Sequence, residues 1–255
     1  MPRLFLLIVN FLLKLINSLI YLFKQVFPYL NAAKVYLDKS ECEKFSDCLL
    51  LQKLKAGQPP AADRYIEYPW MMENIGIKQG KLLDVGSTAG EMLASLLPSS
   101  IEIYGINLNN KTIKNKNIKF SVGDIRKTNF PDNYFDVITC VSTLEHIGVN
   151  GRYGSDNDPA GDLRAMSEIK RILKPSGQLL ATVPYGVKDV LPINKLYNKT
   201  KIADLFSGLE IVHQEFKKFN KNWHVWLKTT ETDAARTDMV KDGWYALCLI
   251  KAKKI

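Results

Sequence analysis

Apolar and polar positions change rhythm twice along this chain. Residues 4–23 read LFLLIVNFLLKLINSLIYLF, with 16 of 20 positions apolar. Asn10, Lys14, Asn17 and Lys24 recur at steps of four, three and seven, which gathers them into one narrow helical stripe. A lysine in mid-stretch is costly in hydrocarbon, but it can snorkel from a helix lying at the interface. The stretch predicts a membrane-associated helix over residues 1–30, in plane or spanning, with packing against protein as the other reading. Residues 31–61 read as a helical linker ending in KAGQPPAA, where Gly57, Pro59 and Pro60 mark a boundary.

Beyond that boundary the pattern becomes short apolar runs separated by helix-like stretches. KLLDVG (81–86), IEIYGI (101–106), NIKFSV (117–122), FDVITCV (135–141), QLLATVP (178–184), 209–216 and 244–251 read as strands. Segments 91–97, 162–173 and 194–207 read as helices. This alternation predicts an α/β fold over residues 62–255, a mostly parallel seven-stranded sheet with helices on both faces. Right-handed crossovers then collect the carboxyl ends of the strands on one edge, where ligands bind. Too few residues separate the second and third strands for a full covering helix.

Composition narrows the picture a little. The 255 residues are 46% hydrophobic and carry a formal charge of +9, which permits an anionic partner but selects none. Cys42, Cys48, Cys140 and Cys248 are too sparse for a disulfide scaffold and lack zinc spacing. With histidine only at 146, 213 and 224, no metal site is expected. Lys34, Lys39 and Lys44 follow the apolar leader, mixed with acidic residues. Leader and lysines together predict a location at the cytoplasmic face of a membrane, peripheral or anchored by a single helix.

Candidate chemistry starts at the first strand. In LLDVGSTAGEML, Gly86 and Gly90 bracket a tight strand-to-helix turn, and Asp84 sits at the strand end. No GK[ST] follows, so a Walker phosphate loop is excluded. YGINLNN places Asn107 where the second strand ends, and an amide there can bond a hydroxyl. GDI places Asp124 and Ile125 just past the third strand, suited to an adenine amino group and ring or, for Asp124, to a helix cap.

LLDVGSTAGEML, GDI, FDVITCVSTLEHI and LKPSGQLLATVP, in this order, resemble the class I S-adenosylmethionine-dependent methyltransferases. The resemblance implies a Rossmann-like fold with S-adenosyl-L-methionine as cofactor. It implies Asp84, Gly86, Ser87 and Gly90 around the methionyl part and Asn107 at the ribose. It further implies Asp124 and Ile125 at the adenine, with Val141 to Thr143 along the cofactor's floor. EHIGVNGRYGSDNDPAGD (145–162) and RYIEYPWMMENIG (64–76) resemble a narrower bacterial group associated with cell-surface saccharide synthesis.

Methyl transfer from a sulfonium is mainly a matter of alignment, and a hydroxyl acceptor must also lose a proton. His146, with an ordinary pKa near 6.5, is the expected general base. Glu145, Arg152, Tyr153 and Tyr185 are the expected substrate contacts, and the aspartates at 156, 158 and 162 offer hydrogen bonds to a polyol. Tyr65, Glu67, Tyr68 and Trp70 read as a lid or as a staple holding the leading segment to the sheet. The function expected is O-methylation of a small or glycan-like acceptor, a cell-surface saccharide precursor. The alternatives are a lipid or quinone methyltransferase, an RNA methyltransferase, or a non-catalytic membrane-associated scaffold. STLEH lacks the asparagine-proline dipeptide of base-nitrogen methylation, which speaks against nucleic acid as partner.

Overall fold

A computed structural model describes residues 63–86, 89–110, 112–220 and 225–255. The expected helix of 1–30 and linker of 31–61 lie outside them, as do Ser87, Trp223 and His224. In chain order the elements are α1 (Arg64–Asn74), β1 (Gly80–Val85), α2 (Gly90–Leu96), β2 (Ile101–Asn107), β3 (Ile118–Val122) and β4 (Phe135–Val141). Two short 3₁₀ turns follow, Leu144–His146 and Arg152–Gly154, then α3 (Gly161–Ile172), β5 (Leu173–Tyr185), α4 (Lys199–Leu205) and β6 (Leu209–Asn220). The chain closes with β7 (Val225–Thr229), α5 (Glu231–Ala235), α6 (Met239–Asp242) and β8 (Ala246–Lys254).

The strands form one sheet in the order β3-β2-β1-β4-β5-β8-β6-β7. Neighbours from β3 through β5 pair in parallel. β8 runs antiparallel to both β5 and β6, and β7 antiparallel to β6. The sheet is therefore Rossmann-like but mixed and eight-stranded, which corrects the expected seven. The extra strand lies in the lysine-rich stretch 217–229, where β6 and β7 pair with Phe219 opposite Trp226. Its lysines hide the alternation, so the pairing is not visible locally.

Alternation along the strands sorts the core into two layers. Leu82, Val137, Val141 and Leu180 pack on one face against Trp70 and Met71 of α1 and Met92 and Leu93 of α2. Leu83, Val85, Ile138 and Cys140 pack on the other against Ala165, Met166, Ile169 and Ile172 of α3. Each such fully buried aliphatic side chain contributes roughly 1.5–3 kcal/mol. Phe135 breaks the alternation because the β4–β5 register shifts between Phe135 and Val137. No described residue between β2 and β3 is helical, as their short separation requires.

The expected membrane location by a single-helix anchor is overturned. Among the described residues no helix is long and apolar enough to cross a membrane. The longest, α3, has 12 residues, and one side of it is polar.

Candidate active site

β1 is flanked by β2 on one side and β4 on the other, so the order of connection reverses beside it. Ligands of open α/β sheets bind in the crevice outside the carboxyl ends at such a reversal. A cavity of about 370 Å³ opens at that place. Its walls are strand-end residues: Val85 and Gly86 after β1, Ile106 to Asn109 after β2, Gly123 to Arg126 after β3, and Ser142 and Thr143 after β4. His146, Ile147, Arg152, Tyr153 and Ser155, from the segment beyond β4, and Arg64 of α1 complete it.

Gly86 has φ +82°, and a Cβ there would stand 2.6 Å from Thr143 Oγ1. Only glycine lets the backbone turn this tightly beside β4. Asp84 is fully buried and works behind the turn. Its carboxylate accepts from the Ala89 amide at 2.9 Å, just ahead of α2, and from Thr139 Oγ1 at 2.9 Å. A strand-end carboxylate thus takes the place of a side-chain cap at the start of α2. Asp84 has no surface in the cavity, nor do Gly90 and Val141, so any role of theirs in holding cofactor is through shaping the loop.

Asn107 lines the cavity but also ties it together. Its Nδ2 donates to the Gly86 carbonyl at 2.5 Å, and its Oδ1 accepts from the Asn109 amide at 2.9 Å. A primary amide has two hydrogens and two lone pairs, so a donor and an acceptor remain for a ribose. Asp124 is more heavily engaged. Arg126 Nε and Nη2 bind its carboxylate at 2.9 and 2.6 Å, and the Arg126 amide donates to it at 2.8 Å. Burial opposes its ionisation, but these bonds outweigh it and hold the carboxyl below its usual range. Ile125, Thr143 and Gly86 present themselves to the same cavity.

Arg126 is the largest omission from the sequence reading. Its Nη1 also binds Asp156 and Asp158, each at 2.7 Å, so one guanidinium straps the segment 148–158 to the end of β3. The three aspartates expected to meet a polyol therefore have other duties. Asp156 and Asp158 hold Arg126, while Asp162 accepts from Lys195 Nζ at 2.9 Å and the Tyr197 hydroxyl at 2.8 Å. Tyr153, with φ +51°, is strained for a non-glycine residue, and its carbonyl accepts from Asn109 Nδ2 at 2.8 Å.

Glu145 is a correction. It is only 2% exposed, lies outside the lining of the cavity, and its Oε2 has no hydrogen-bond partner among the described residues. Burial pushes its pKa up to about 8. His146 does line the cavity, yet burial first and the Arg152 charge second pull its pKa down to about 4, against the expected 6.5. Both groups are therefore mainly uncharged at neutral pH, and the 3.7 Å between Glu145 Oε1 and His146 Nε2 is not an ion pair there. Tyr185, expected as a substrate contact, is not among the residues that line the cavity. It is fully buried away from the cavity, with its hydroxyl donating to Glu231 at 2.7 Å and its ring against Phe216.

Of the leading segment, Glu67 is a staple. Fully buried, it accepts from Ser142 Oγ and Thr182 Oγ1, each at 2.5 Å, and pairs with Arg64. This pins α1 to the ends of β4 and β5 and brings Arg64 to the cavity.

The fold and this strand-end cavity define an α/β nucleotide-cofactor enzyme of the class I methyltransferase architecture. Residues 83–181 match a family model described as a methyltransferase domain, and the chain is an S-adenosylmethionine-dependent methyltransferase using that cofactor. It is 24% identical over 187 residues to the uncharacterized methyltransferase YcgJ of Bacillus subtilis (strain 168), a match covering 63% of this chain and 69% of that protein. The crystal structure of YcgJ superposes with a TM-score of 0.51 at 15% identity, covering 74% of this chain and 98% of that one. The ubiquinone/menaquinone biosynthesis C-methyltransferase UbiE of Stutzerimonas stutzeri (strain A1501) is 30% identical over 128 residues, half of this chain and 43% of that protein.

Proposed function

We propose that residues 62–255 form the catalytic unit and move a methyl group from S-adenosylmethionine to a small-molecule acceptor held under the 148–158 strap. The observation that carries this is the cavity itself, built from the ends of four consecutive parallel strands at the reversal of strand order. The residues present fit the cofactor, because Gly86, bare of a side chain and packed tightly against Thr143, lets the β1 turn face the cavity directly. Asn107 retains a donor and an acceptor for the ribose. Ile125 offers an apolar wall to the adenine, and Asp124 can serve the adenine amino group only beside, or in exchange for, Arg126.

When bound, the cofactor supplies a methyl on a cationic sulfur that leaves as a neutral thioether. The chain's own contribution is placement and proton handling. His146 is held uncharged, so it is ready to accept the acceptor's proton across the neutral range. A base of such low pKa drives the transfer weakly, which suits an acceptor that is itself fairly acidic.

For the acceptor, the likeness to quinone-pathway methyltransferases supports a quinone-type or lipid-type ring first. The polar segment around Arg152, Tyr153 and Ser155 supports the second reading, an O-methylated saccharide precursor. Incubation with methyl-labelled cofactor, demethylated quinone precursors and saccharide precursors, followed by mass spectrometry, separates the two. His146→Ala is expected to lower kcat by about 10²-fold or more while leaving cofactor affinity unchanged. Unchanged turnover in that variant would remove His146 from the mechanism.

A further inference from the structure

The cavity wall contains three guanidinium groups, and the described residues supply counter-charge for two of them. Arg64 lies against Glu67 and Asp63. Arg126 spans Asp124, Asp156 and Asp158. Arg152 makes no ion pair with any described residue, and its Nε is buried without a hydrogen-bond partner. Its guanidinium lies over the Tyr153 ring, 4.5 Å from Cζ to centroid. The same ring meets His146 edge-on at 5.0 Å, so arginine, tyrosine and histidine form one row along the wall.

A buried guanidinium N–H left unpaired is costly, and an anion beside it supplies both the acceptor and the counter-charge. Its planar fork matches the two oxygens of a carboxylate or phosphate, and an aromatic face beside it restrains its orientation. We infer that Arg152 receives an anionic group, carboxylate or phosphate, carried by the methyl acceptor. The acceptor then lies along Tyr153 with its reacting atom toward His146. This rests on the reading of the cavity as a methyl-transfer site and narrows it, since a neutral quinone or neutral sugar leaves Arg152 unanswered. The other source of the same chemistry is the carboxylate of the cofactor's methionyl part.

The test is calorimetric titration of the full chain with inorganic phosphate, before and after saturation with S-adenosylhomocysteine. Phosphate is expected to bind saturably in both cases. Arg152→Gln should weaken it at least tenfold, while affinity for S-adenosylhomocysteine stays within about twofold. Arg152→Lys, which keeps the charge but not the fork, should bind phosphate at an intermediate level, and this shows that any loss in the glutamine variant is not misfolding. Absence of phosphate binding, or binding indifferent to Arg152→Gln, overturns the inference. A tenfold loss of S-adenosylhomocysteine affinity in Arg152→Gln also overturns it, by assigning the guanidinium to the cofactor. Failure of the unaltered chain to bind S-adenosylhomocysteine would sink the methyl-transfer reading instead, and Arg152-dependent phosphate binding would survive as a separate property.

Discussion

Glu145 and His146 are adjacent in sequence, yet their environments push them in opposite directions on the pH scale. Burial raises the folded pKa of Glu145 from 4.5 to about 8, so the folded chain holds a proton that the unfolded chain has released between those values. Stability from this group is full at low pH and falls as pH rises toward 8. His146, depressed from 6.5 to about 4, has the reverse effect, and its contribution is complete above 6.5. The two partly cancel below pH 6.5, and Glu145 alone acts above it. Glu145→Gln, which cannot ionise, should therefore match the parent in Tm near pH 4, gain on it between about pH 4.5 and 8, and gain little more beyond that. Parallel Tm curves over that range would show that Glu145 is not held protonated. Neither shift is legible in EH as a dipeptide. Each depends on what the fold packs around the 3₁₀ turn at Leu144–His146.

At the scale of elements, the turn from β1 to α2 was readable because it obeys a local rule. A strand-end glycine at positive φ is a conformational demand that no other residue meets cheaply. Gly86→Ala is expected to cost about 1–2 kcal/mol from the backbone alone. The push against Thr143 adds to that cost, and affinity for S-adenosylhomocysteine should fall at least tenfold. Thermal melts and calorimetry on the variant check both effects, and retained affinity would mean the turn does not cradle the cofactor. The polar character of 145–162 was legible in the sequence, but its closure by Arg126 was not. The carboxylates lie 2, 30 and 32 residues from that arginine, and only the nearest is a sequence neighbour. Likewise the β6–β7 hairpin escaped notice because lysines and aromatics share its strands.

Across the whole molecule, α1 is joined to the active edge by one buried carboxylate. Glu67 meets Ser142 and Thr182, 75 and 115 residues away, and Arg64 one helical turn away. Removing it strands two buried hydroxyl donors and leaves Arg64 with Asp63 alone. Glu67→Ala should cost about 3 kcal/mol, with a Tm fall of roughly 6–12 °C, and should loosen Arg64 at the cavity. A fall of under about 2 °C would show that water readily replaces the carboxylate. Glu67→Gln, which keeps the shape and two polar ends, should lose less.

The alternation of apolar runs and helical stretches was enough to establish the parallel half of the sheet, its two apolar layers and the edge that carries the site. Those features follow from periodicity and chain handedness, which act over a few residues at a time. The placement of charge was decided only by folding. Asp124 is claimed by Arg126, Tyr185 turns toward Glu231, and Arg152 finds no counter-ion among the described residues. Such outcomes depend on strand register and on which loops meet in space. Burial then multiplies every electrostatic preference, because the water that would level them has been expelled.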